Sequence, residues 1–258
     1  TLVPVTKGSG IAMAVETMAT GLVQLDQQLG GGIPLGQFSE IVGPRSSGRT
    51  SLLMAMLAAT TARGELAALV DTFDMFDVES MAAAGVRLDR LLWVRGETST
   101  AAFPPLTAGR RQPGADRAIE RALKATNLVL QAGGLSLVAL DLADAPTHAL
   151  RRIPMTTWLR LQKTLEGQQA AAVVTGTAPM SRSAGGVTLE LARDSGLGTR
   201  DSQERRRDSG FGVRDSGSAT LISASLFPAI ESEVRIQRAR LVPGMGVPVR
   251  LTATALVA

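Results

Sequence analysis

Gly43, Pro44, Arg45, Ser46, Ser47, Gly48, Arg49, Thr50 and Ser51 bring two glycines, a cation and two hydroxyls together at the spacing of G-x-x-x-x-G-K-[ST], a phosphate-binding loop. Phe38, Ile41 and Val42 ahead of the loop read as a buried strand, and Thr50 and Ser51 open a helix. The glycines let backbone N–H groups turn inward, and the helix N-terminus adds partial positive charge, so a polyphosphate fits. The lysine of the pattern is replaced by Arg49. A planar guanidinium keeps the attraction for phosphate but is bulkier than an ammonium, which alters hydrolytic geometry. The same residues also allow a Gly-rich strand-to-helix turn without a ligand. A second candidate is Asp141, which ends the apolar run LSLVALD from Leu135. A carboxylate at the end of such a strand can hold Mg²⁺ through water, with Thr50 as its partner, or can cap the turn that follows.

The 258 residues suffice for one large α/β domain, or at most two small ones, and 45% hydrophobic content supports a globular chain. The absence of cysteine excludes a disulfide framework and a thiolate metal site. The lone His148 speaks against a histidine metal cluster or His-based triad, and reads as a loop imidazole. No membrane span or secretory leader is visible, so a cytoplasmic protein is expected. The chain begins with Thr, and residues upstream of it are expected. A net charge of +4 permits nucleic-acid contact without requiring it.

Residues 1–10 form a lead-in. From Ile11 the chain offers a short strand, a helix over Leu22 to Leu29 and a glycine run. The succession V-E-T, T-G, L-D-Q-Q-L-G-G-G-I-P-L-G and G-P-R-S-S-G-R-T resembles the core of the RecA recombinase family. That resemblance implies one RecA-like α/β domain over 11–258, a mostly parallel sheet flanked by helices with an antiparallel C-terminal hairpin. It also implies a site for ATP or ADP with Mg²⁺, weak or absent here. The family's second strand ends in Asp-x-Glu, whose Glu activates the attacking water. The matching triplet is Asp71-Thr72-Phe73, so Phe73 stands where the catalytic carboxylate belongs and can neither accept a proton nor polarise water. Asp74 is read as a solvated turn residue aimed away from the site, because strand neighbours alternate faces. Asp77 matches a position near adenine, whereas Ser80 replaces the aromatic residue that packs on the base.

Gly96 to Gly114 reads as an exposed loop carrying Arg110 and Arg111, followed by a helix that Gly133 and Gly134 end. Strand Leu135–Asp141 leads to a connection holding Arg151 and Arg152. In the family that connection is the first DNA-binding loop; a solvated pair is the alternative. A helix over Thr156 to Glu166 and the strand AAAVVTG follow. Gly176 stands where the family's Gln links γ-phosphate to DNA, which implies an uncoupled switch. Arg-Asp-Ser recurs at 193, 200, 207 and 214 within a Gly- and Ser-rich insertion over 193–217, read as flexible. Strands are expected at 187–192, 220–226, 233–240 and 250–257. Arg238 and Arg240 match two basic residues that reach a neighbour's nucleotide in recombinase filaments.

A retained core, Phe73, Arg49 and the lack of the family's N-terminal docking helix and C-terminal domain are similar to ImuA-type accessory proteins of the bacterial translesion mutasome. The resemblance implies a non-catalytic, SOS-type DNA-damage-response factor, cytoplasmic and nucleoid-associated, a monomer or small oligomer. Its partners would be single-stranded DNA and a translesion polymerase-like protein or RecA. A working DNA-dependent ATPase recombinase and an SOS-type cell-division inhibitor are the alternatives.

Overall fold

Four short, mainly apolar segments, 38–42, 67–71, 137–141 and 171–176, are buried at every position, as strands covered on both faces must be, with Ser39 and Glu40 the polar interruption of the first. The computed structural model describes residues 16–96, 113–181, 186–193, 230–238 and 248–253. In chain order, β1 (Thr17–Met18) pairs antiparallel with β2 (Ile33–Pro34) around α1 (Val23–Gln28). Then come β3 (Phe38–Val42), α2 (Arg49–Ala62), β4 (Ala67–Asp71), α3 (Val78–Ala83) and β5 (Leu91–Arg95). They are followed by α4 (Pro113–Ala132), β6 (Leu137–Asp141), α5 (Thr147–Leu150), α6 (Met155–Leu165), β7 (Ala171–Gly176) and β8 (Thr188–Arg193). The last strands are β9 (Ile230–Arg238) and β10 (Pro248–Ala253).

The large sheet runs β10-β9-β8-β3-β7-β6-β4-β5. It is parallel from β8 to β5, while β9 and β10 extend it antiparallel. This is the mostly parallel, helix-flanked, RecA-like α/β fold, with its antiparallel hairpin. One core packs Leu53, Met56 and Leu57 of α2 with Leu25 and Met81 against Ile41, Leu69 and Val173. The other packs Ile119, Leu123 and Leu130 of α4 and Trp158 and Leu161 of α6 against Phe38, Val70, Leu140 and Val174. Successive strand residues alternate between the two cores, so each apolar run serves both.

Some boundaries differ from the sequence expectation. Pro113 and Gly114 belong to α4 rather than to the preceding loop, and proline suits a first helical turn, where its missing N–H is not needed. Arg193 ends β8 opposite Ser232 rather than beginning the insertion. His148 lies in the single turn α5, not in a loop. Arg110, Arg111, Arg240, the strand expected from Ile11 and the Arg-Asp-Ser repeat beyond Arg193 lie outside the described residues.

Glu40, in the middle of β3, is 2% exposed. Its carboxylate accepts from the N–H of Met180 (2.8 Å) and Ser181 (2.6 Å) and from the Thr188 hydroxyl (3.2 Å). One buried acid thereby holds the chain leaving β7 and the start of β8 against the central strand. Glu40→Ala leaves two backbone donors and a hydroxyl without their acceptor, at a cost of about 1–3 kcal/mol for each buried group. Urea denaturation is expected to show a loss of about 3 kcal/mol or more for Glu40→Ala and a smaller one for Glu40→Gln, which keeps one acceptor oxygen.

Candidate phosphate-binding site

β3 lies between β7 and β8, so the loop from Gly43 to Gly48 emerges at the middle of the sheet's carboxyl edge, where ligands of open parallel sheets bind. Gly43 has no room for a side chain: a Cβ would lie 2.4 Å from the Leu191 carbonyl oxygen and 2.7 Å from Ser47 Oγ. Gly48, at φ 89°, starts the 14-residue helix α2 from a left-handed conformation, and no side chain caps that helix. Its first-turn N–H groups therefore keep no side-chain acceptor. Ser46 also holds a positive φ of 59°, an uncommon conformation for a non-glycine residue. Ser47 is 1% exposed, and its hydroxyl has no hydrogen-bond partner. Tight backbone, an uncapped helix and an orphaned hydroxyl fit a phosphate group.

The cations turn toward the chain that leaves β6. Arg49 is 6% exposed and donates from Nη1 to the Ala143 carbonyl oxygen at 3.3 Å. Burial lowers its pKa, while Asp141 and Asp144 pull it back up. Arg45 donates through Nε (3.2 Å) and Nη2 (2.6 Å) to Asp144 Oδ1. Thr50 is exposed at the start of α2.

Asp141 closes β6 in register with Asp71 of β4 and Thr175 of β7. Its Oδ1 accepts from the Thr175 hydroxyl and from the Ala143 N–H, the latter at 3.3 Å. Burial pushes its carboxyl up to about 6, against the opposing effect of the Thr175 bond. A divalent cation fits poorly here. Asp141 Oδ1 already accepts two hydrogen bonds, and the buried Arg49 guanidinium brings a positive charge to the same turn.

Asp71 is fully buried and accepts from the N–H of Met75 (2.9 Å) and Phe76 (3.1 Å) and from Trp93 Nε1 (3.4 Å), so it organises the turn after β4. Burial raises its pKa. Phe73, 4% exposed, packs in the core formed with α4 and α6. Asp74 is not the solvated residue expected: at φ 56° it pairs with Arg95 at 2.6 Å, and Arg95 lies over the Trp93 ring. Asp77 caps α3 by accepting from the Ser80 N–H at 2.8 Å, and the Ser80 hydroxyl together with that N–H lowers its pKa.

Gly176 ends β7, and a Cβ there would sit 1.9 Å from Met180 Cε, so the methionine methyl fills the space a longer side chain would need. Arg152 pairs with Asp116 of α4 at 3.3 Å. Arg151 is exposed and borders a cleft of about 550 Å³ with Leu150, Trp158, Thr177 and Met180. Arg238 ends β9 opposite Thr188, on the far side of β8 from the loop. The structure thus gathers Arg45, Ser47, Arg49 and Asp141, while Asp77, Arg151, Arg152 and Arg238 stand on other elements. Sequence reasoning missed the part of Asp144, and no motif pointed to it.

Asp141 generates a pH prediction. Its folded pKa of about 6 lies above the ordinary 3.8, so the folded chain holds the proton more tightly. That contribution is complete below about pH 4 and is lost as pH rises through about 6, a swing of about 3 kcal/mol at most. Asp141→Asn, which cannot charge, is expected to gain stability relative to the native chain as pH rises through this window in urea denaturation. A difference that stays flat with pH would refute the buried carboxyl.

Comparison with known proteins adds to this geometry. Residues 4–104 match the family model described as RecA N-terminal domain. The chain is 41% identical over 96 residues to the RecA protein of Crocosphaera subtropica, covering 37% of this chain and 28% of the relative. It is 42% identical over 96 residues to that of Synechocystis, covering 37% and 27%, and 38% identical over the same length to that of Synechococcus elongatus, covering 37% and 27%. The chain therefore matches under a third of the length of these curated relatives. A RecA-like sequence in the N-terminal part and a RecA-like α/β fold carry the loop from Gly43 to Gly48, a candidate phosphate site.

Proposed function

We propose that this chain is a RecA-like accessory factor of the DNA-damage response, one that holds nucleotide and DNA without turnover and regulates or recruits a translesion polymerase or a recombinase. The observation that carries this reading is Phe73, a phenyl ring packed in the core where the water-activating carboxylate of the family stands. The neighbouring acids offer no substitute, since Asp71 organises its turn and Asp74 pairs with Arg95. In the ImuA-like form of the proposal the domain spans 11–258, the repeat is an insertion, and the chain is a monomer or small oligomer near the nucleoid. Gly43 to Ser51 would hold the phosphates of ATP or ADP. Asp77 would face the base, and Arg238 and Arg240 would face a RecA-like neighbour.

ATP turnover with and without single-stranded DNA tests the reading. The loss of a positioned base costs about 10²–10⁴ in rate, so turnover is expected to be negligible in both conditions. DNA-stimulated hydrolysis abolished by Asp141→Ala, or long regular filaments of this chain alone in electron microscopy, would favour an active recombinase instead.

DNA contact is proposed through the exposed Arg151 beside its cleft, with Arg152 and the loop pair Arg110 and Arg111 adding charge. Arg152 is already tied to Asp116, so Arg151 has the larger share. Fluorescence anisotropy across a salt series is expected to give weak binding whose log–log slope falls by about 0.7 in Arg151→Ala for a lost single-strand phosphate contact, and by less in Arg152→Ala. An unchanged slope and affinity in the double variant would remove this assignment.

A further inference from the structure

The loop and the turn after β6 are stitched together by two arginines, Arg45 to Asp144 and Arg49 to Ala143. Arg45 is two-thirds exposed in this pair, a surface contact of small worth. Arg49 is different: its guanidinium is buried at the start of α2, against the turn that Asp141 and Ala143 form. Among the described residues the Ala143 carbonyl takes one of its five N–H donors, and a planar fork with donors to spare is the side chain best suited to phosphate oxygens. Two residues before it in the same loop, the buried Ser47 hydroxyl has no partner and faces Gly43, 2.7 Å from where a Cβ there would lie. A resident positive charge at this place does electrostatically what a divalent ion does in a metal-dependent cradle, and it opposes the arrival of a second cation.

We propose that Arg49 replaces the divalent ion of this site, and that the loop takes a nucleoside di- or triphosphate free of metal. The inference rests on reading Gly43 to Ser51 as a phosphate site, and it concerns binding alone. Ligand oxygens accept from the Arg49 fork, the Ser47 hydroxyl and the first-turn N–H groups of α2. Asp141 and Asp144 hold the guanidinium in place through the turn, and no oxygen of Asp141 is required as a ligand.

The test is equilibrium binding of fluorescent ADP and ATP analogues to the full chain, in EDTA and in excess magnesium. The native chain is expected to bind in EDTA within about threefold of its affinity in magnesium. Arg49→Lys, a conservative change checked for folding by circular dichroism, is expected to lose about tenfold or more in EDTA and to recover part of it when magnesium is added. Pyrophosphate in EDTA is expected to raise the melting temperature of the native chain, a readout independent of the variant. Binding that needs magnesium would overturn the proposal. So would binding by Arg49→Ala but not by the native chain, which would make the guanidinium a plug, and so would an absence of binding by all forms. Of these, a need for magnesium would overturn the metal-free proposal and leave the phosphate site in place, whereas an absence of binding by all forms would also remove the nucleotide-holding part of the accessory reading; turnover and the DNA salt slope test the rest of that reading.

Discussion

Burying carboxylates is the constraint around which the carboxyl edge of this sheet is arranged. Asp71 and Asp141 sit side by side on β4 and β6, in register and almost without exposure. A charged group removed from water must gather donors or give up its charge, and here both occur. Asp71 takes two backbone N–H groups and an indole, and Asp141 takes a hydroxyl and a backbone N–H. Burial raises both pKa values, and the charges of Asp71 and Asp144 add to the raising of Asp141. The turns after β4 and β6 have the shapes they have because each wraps the acid that ends its strand.

That commitment shapes what the site can do. Once Asp71 draws the Met75 and Phe76 N–H groups inward, the chain turns at Asp74 in a left-handed conformation, and the Asp74 carboxylate goes to Arg95. Phe73 lies inside the core with Ile119, Leu123 and Trp158. Every acid near the matching motif therefore has structural work. A glutamate placed at 73 would push a charge into an apolar cluster, so on the proposed reading a single exchange would not by itself create a hydrolytic site.

The strands and the strand-loop-helix turn of β3 and α2 were legible because they rest on local signals: apolar runs of strand length, glycines at fixed spacing and a helix opened by hydroxyls. Phe73 was legible only against a family pattern. What the sequence hid are contacts between distant residues. Glu40 reaches Met180, Arg45 reaches Asp144, Arg49 reaches Ala143, and the Met180 methyl fills the space beside Gly176. No spacing rule joins such pairs. Asp74 was misjudged for a different reason. Face alternation holds only within an extended strand, and β4 ends at Asp71, so the positive φ at Asp74 lies where that rule has no force.

Arg49, Phe73 and Gly176 can be understood together on the proposed reading. A water-activating carboxylate and a side chain coupling β7 to the nucleotide serve a cycle of hydrolysis and release, because each matters only when the γ-phosphate comes and goes. Where that cycle is absent, their space is open to packing, and a phenyl ring and the Met180 methyl fill the two positions. The cation is relieved of the same duty. A lysine must reach between outer phosphates as a point charge, whereas a guanidinium can hold a backbone carbonyl and still present donors. On this reading the bond from Arg49 to Ala143 holds the loop where turnover is not needed, which suits a domain whose proposed work is to present a surface to DNA and a partner.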